Sequence, residues 1–138
     1  MDAVMLSLSG LGNFALYFIV SIILLFVFKV LYALVTPHDE WKLVKEDKSV
    51  AAAVGFGGSV VGFSIALAGA ASNAVSLIDF AVWGAVALIA QLLAFALLRF
   101  TFMPKIVERI NNDEISAGVM LAAMSIAIGM LNAACMTY

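Results

Sequence analysis

The chain has 138 residues, 65% of them hydrophobic and 12% charged, with a formal net charge of -2 and a pI near 5.1. Soluble domains run nearer half apolar and a quarter charged, and there is no basic excess for a polyanion. A water-soluble globular enzyme and a nucleic-acid binder are therefore excluded, and one cysteine excludes an intrachain disulfide scaffold.

Four apolar stretches hold the excess, each near the roughly 20 residues that a helix needs to cross bilayer hydrocarbon. The first spans about 13–35, with Lys29 its only charge. The chain opens Met1-Asp2 and has no Lys or Arg before Lys29, unlike a cleaved signal peptide, so this stretch reads as a retained span. Thr36-Pro37-His38-Asp39 follows, with a capping residue, a proline at the first helical position and an acid at the third. Trp41 and Val44 lie three apart beyond it, which suits a short amphipathic helix at the interface; a mobile charged loop is the alternative.

The second span, about 49–71, carries Gly55, Gly58 and Gly62, with Ser59 beside them and Ala66, Gly69 and Asn73 continuing the stripe. Small residues four apart let helix backbones approach closely in lipid, either inside one bundle or between subunits. Asp79 precedes the third span, about 80–98, as a helix-start charge. Gln91, near the middle of that span, is expensive in lipid unless bonded, so it faces another helix or a water-filled path. After Arg99, Lys105 and Arg109, with Ile106 and Ile110 four apart, the fourth span covers about 116–136. Gly118, Ala122, Ser125, Gly129 and Ala133 repeat the small-residue face, and Asn73 and Asn132, near span ends, join Gln91 as intramembrane polar residues that a pathway would use.

Barrel strands would alternate apolar and polar residues, which these runs do not, so the reading is all-α, with four transmembrane helices. The two longer loops hold six Lys and Arg; the tails and the 72–79 connection hold none. The positive-inside rule then puts both termini outside the cytoplasm and both long loops within it. Lys29 lies about two turns from the cytoplasmic end, close enough for its stem to reach the headgroups. Tyr17, Trp83 and Tyr138 fit the outer aromatic belt, and Tyr32, Trp41, Phe100 and Phe102 the inner one.

Sliding the chain on itself by 67 positions aligns Pro37 with Pro104, Ser49 with Ser116, Gly62 with Gly129, and Glu46-Asp47 with Asp113-Glu114. The expectation is a single membrane domain, 1–138, built of two parallel helical-hairpin repeats, about 13–73 and about 80–138. Catalytic chemistry is largely absent. His38 is the only histidine, no CxxC, HExxH or phosphate-loop pattern occurs, and Cys135 has no basic neighbour to stabilise a thiolate. No enzyme activity, cofactor or metal is expected.

Thr36-Pro37-His38-Asp39-Glu40-Trp41, the Ser72-Asn73-Ala74-Val75-Ser76 turn and the closing Asn132-Ala133-Ala134-Cys135-Met136-Thr137-Tyr138 resemble the YjfL-like family of small bacterial inner-membrane proteins. The resemblance covers essentially the whole chain. It implies a multi-pass inner-membrane protein of unknown function, often encoded near a glutathionylspermidine-synthase-like ligase, with no activity or cofactor to carry over. The expectation is thus an oligomeric structural or interaction module of the envelope. A small channel or transporter for ions or solutes such as polyamines is the alternative. Expected partners are the lipid bilayer, further copies of the chain, and a cytoplasmic protein at loops 36–48 and 103–115, with no nucleic acid.

Overall fold

A computed structural model of the chain describes residues 2–35, 48–97 and 106–136. Pro37, His38, Trp41, Arg99, Phe100, Phe102, Pro104, Lys105 and Tyr138, on which several expectations rest, lie outside the described residues. The elements are helices: α1 Asp2–Val35, α2 Val50–Asn73, α3 Leu77–Leu97, the short α4 Ile106–Asn111, and α5 Ile115–Ala134. α1, α2, α3 and α5 are long and apolar enough to cross a membrane.

The first helix starts earlier than the polarity of Ser7, Ser9 and Asn13 suggests. Its 34 residues correspond to about 51 Å of helix, against roughly 30 Å of hydrocarbon. No proline interrupts residues 2–12, and a continuous helix satisfies its own backbone bonds, so neither Gly10 nor Gly12 breaks it. Only its C-terminal part is committed to packing, through Tyr17, Val20, Leu24, Phe28 and Tyr32, whereas Val4, Leu6, Leu8, Leu11 and Phe14 are exposed.

Named contacts set the helix directions. Gly58 faces Ala122, Gly62 faces Ser125 and Gly129, and Gly69 faces Ala133, so α2 and α5 run parallel. Tyr17 stacks on Phe80 and Tyr32 meets Phe95 edge-on, so α1 and α3 are also parallel. Gln91 reaches Ser125 and Asn132 reaches Ala87, so α3 runs against α5. The start of α1 and the end of α5 consequently lie at the same end of the bundle. α2 and α5 form its tightest pair, α3 packs on both, and α1 lies against α2 and α3.

The connections explain this order. Only Ala74, Val75 and Ser76 separate α2 from α3, which forces neighbouring antiparallel helices. Ser76 Oγ accepts from the Asp79 amide at 3.1 Å while Asp79 Oδ2 accepts from the Val75 amide at 3.1 Å. This is a reciprocal capping arrangement that satisfies amides at the start of α3. At the opposite end, α4 buries Ile106 and Ile110 completely and packs on α5 and α2. Its apolar face therefore meets protein.

Candidate functional site

Polar side chains gather where the four spans meet. Ser59 on α2 lies 3.2 Å from Tyr32 Oη on α1 and 3.2 Å from Ser125 Oγ on α5, and it donates to the Gly55 carbonyl at 3.0 Å. Gln91 on α3 donates from Nε2 to the Ser125 carbonyl at 3.1 Å. Tyr32, Ser59, Gln91 and Ser125 are each at most 3% exposed. Among the described residues, the Gln91 carbonyl oxygen Oε1 is buried without a hydrogen-bond partner. Phe28, Phe56 and Phe95 surround the Tyr32 ring, and Phe28 stacks on Phe63, so the cluster sits in an aromatic setting.

The cluster exists because α2 and α5 approach so closely. A Cβ at Gly62 would overlap the Ser125 carbonyl, one at Gly129 the Gly62 carbonyl, one at Gly118 the Ala51 carbonyl, and one at Gly58 Ala122. Gly55 differs, since a Cβ there meets the flexible end of Leu121 at 3.0 Å and the Gly118 Cα only at an ordinary 3.7 Å. Gly55, Gly58, Gly62, Gly118, Ser125 and Gly129 thus all face the seam between α2 and α5 within one chain. That close approach lets the short Ser59 and Ser125 hydroxyls meet and brings the Ser125 carbonyl within reach of Gln91.

The asparagines divide. Asn132 Nδ2 donates to the Ala87 carbonyl at 3.3 Å and joins α5 to α3, whereas Asn73 Nδ2 donates to the Gly69 carbonyl of its own helix at 2.9 Å. Tyr32, read from the sequence as an inner-belt residue, is buried within the bundle, where Ser59 and the aromatic wall supply a polar partner and apolar cover. Its pairing with Ser59, 27 residues away, becomes visible only once α1 and α2 are known to be antiparallel.

A second polar contact, at the α4 end of the bundle, was also missed. Asp113 Oδ1 accepts from Ser49 Oγ at 3.0 Å and from the Ala51 amide at 2.9 Å, while Ser49 Oγ accepts from the Ala52 amide at 3.1 Å. The bond from the Ala51 amide, followed by that from Ser49, holds the Asp113 carboxyl below its ordinary value of 3.8. Asp113 adopts φ 56°, a left-handed conformation that Asp tolerates better than most residues. Arg109 pairs with Glu114 at 3.2 Å and donates to Ser116 Oγ at 3.1 Å, closing the same turn. Among the described residues no three His, Cys, Asp or Glu side chains converge on a metal position.

Four apolar helices, interhelical amide and hydroxyl bonds, and a glycine-lined seam define a multi-pass helical membrane protein. The chain belongs to the family described as Domain of Unknown Function (DUF350), which matches residues 5–136. It is 40% identical over 131 residues to the UPF0719 inner membrane protein YjfL of Escherichia coli strain K12, covering 95% of this chain and 98% of that one. It is 26% identical over 125 residues to the UPF0719 transmembrane protein YshE of Bacillus subtilis strain 168, covering 90% and 92% respectively. No solved structure matches. The resemblance read from the loop and tail strings is thereby established, as is an inner-membrane, multi-pass protein.

Proposed function

We propose that the chain is a structural or interaction module of the inner membrane, without enzymatic activity, whose intramembrane polar groups bond to neighbouring helices rather than line a path. The observation that carries this reading is that Gln91, a strongly polar side chain near the middle of a span, donates to the Ser125 carbonyl while 3% exposed. The Asn132–Ala87 bond and the Ser59–Ser125 contact also join different helices, a pattern of interhelical glue. In this proposal the termini are periplasmic, and residues 36–48 and 103–115 are offered to a cytoplasmic partner. Glu108, Asn112, Asp113 and Glu114 supply an exposed polar surface in the second of these segments. The two hairpins act as parallel repeats, a reading supported by α2 packing parallel to α5 and by the direct approach of Gly62 to Gly129. One detail is asymmetric: Ser49 caps α2, whereas Glu114 stands at the cap of α5 and Ser116 lies inside its first turn. Because the small-residue faces are used within the chain, self-association falls to other surfaces. α1, exposed along most of its length, is the prime candidate.

The channel alternative draws on the parallel repeat and on Gln91, whose Oε1 has no hydrogen-bond partner among the described residues. Proteoliposome flux separates the two. Potassium, chloride and spermidine should cross no faster than in protein-free vesicles, with or without Gln91→Leu. Flux above that background that falls in the Gln91→Leu variant would replace this proposal with conduction.

A further inference from the structure

Between α1 and α2 the bundle leaves a lengthwise groove. Its first part, about 310 Å³, is lined by Ile22, Leu25, Phe26, Phe56 and Val60, with Lys29 at one end. A second hollow of about 230 Å³ shares Ile22 and Leu25 with it and continues along Phe18, Ser64 and Ala68. From Lys29 to Phe18 the groove follows eleven residues of helix, about 16 Å, close to the roughly 15 Å of hydrocarbon in one leaflet.

We infer that this groove holds one acyl chain of an anionic phospholipid, with the phosphate on Lys29, in the leaflet at the Lys48 end of the bundle. This goes beyond the module proposed above and does not depend on it. The walls match an acyl chain because all but Lys29, Ser21 and Ser64 among the lining residues are apolar. Charge sets the polar end. Lys29 is half-buried on a transmembrane helix, where a cation is costly, and its stem can carry the ammonium toward the headgroups. An ammonium has three N–H donors and suits phosphate oxygens, and an anionic headgroup adds no cation to compete with it.

Native mass spectrometry of the full chain tests the assignment, with phosphatidylglycerol and phosphatidylcholine of identical acyl chains as probes. The wild type should retain phosphatidylglycerol roughly tenfold better, as one charge-assisted contact implies. Lys29→Gln should bring the two lipids level and Lys29→Arg should restore the preference. Ala68→Phe, at an exposed position on the groove wall, should reduce retention of both lipids. Equal retention by the wild type, or a preference that survives in Lys29→Gln, overturns the phosphate assignment. Unchanged retention in Ala68→Phe places the chain elsewhere and overturns the groove assignment. A dimer that Ala68→Phe abolishes would give the groove to a second copy instead.

Discussion

Two glycines on α2 show how one substitution takes opposite signs depending on the facing surface. At Gly57 an added Cβ meets nothing within 4 Å, so Gly57→Ala should be neutral or stabilise by up to about 1 kcal/mol through helix propensity. At Gly62 the same methyl overlaps backbone of α5, which cannot yield as a side chain can; Gly62→Ala should cost about 1–3 kcal/mol. Unfolding in mixed micelles measures both, and equal effects would refute the packing assigned to the seam. Gln91→Leu is decided by two opposing terms. It loses an interhelical bond worth about 0.6 kcal/mol in membrane proteins, but removes an unsatisfied buried carbonyl that costs about 1–3 kcal/mol. The variant should match or exceed wild-type stability; a loss above about 2 kcal/mol would mean that Oε1 has a partner. The sequence showed Gln91 as costly and the glycines as packing residues, because residue type alone sets those costs. It did not show Ser125 as the partner of Gln91, because that pairing joins residues 34 apart.

Among the elements, α2 has its start held by a residue distant in sequence. Asp113 accepts from the Ala51 amide and the Ser49 hydroxyl, which favours the carboxylate over the acid in the folded state. Since the folded value is depressed, this contribution is present above the ordinary value of 3.8 and is lost as pH falls through the lower folded value. The hydrogen-exchange protection of the Ala51 amide should therefore fall under strong acid. In Asp113→Asn it should be lower at neutral pH and lack that acid step. A wild-type step centred above 3.8 would contradict the assignment. The sequence made the acidic pair Asp113-Glu114 visible as one member of a repeated motif, but pointed to no contact with Ser49. Local spacing identifies a cap within its own turn, whereas this carboxylate caps a helix 62 residues earlier. Likewise, Ile106 and Ile110 were legible as an apolar face, and packing on α5 and α2 decided what covers it.

For the whole molecule, the contact directions place the start of α1 and the end of α5 together. With Cys135→Ala as background, Asp2→Cys should react with an impermeant thiol reagent from the same side of the membrane as native Cys135 does. Cys135 is exposed, which makes it a usable reference. Labelling from opposite sides would refute the parallel arrangement of α1 with α3 and of α2 with α5. In the proposed orientation both react in intact spheroplasts; reaction only in inverted vesicles would reverse the sidedness and leave the bundle intact.

Solvent preference and span number were determined by the sequence alone, because transfer of about 20 apolar residues into lipid depends on composition and length rather than partners. The strings at loop ends and at the tail likewise carried the family. Tertiary structure decided which face each span turns to which neighbour: that the glycines are used within the chain, that Tyr32 is buried against Ser59, and that α1 remains largely uncovered. In spans apolar all round, periodicity distinguishes weakly between a lipid-facing and a helix-facing side, since both are hydrocarbon. Close backbone approach and hydrogen bonds between distant residues make that choice, and they exist only once the helices are assembled.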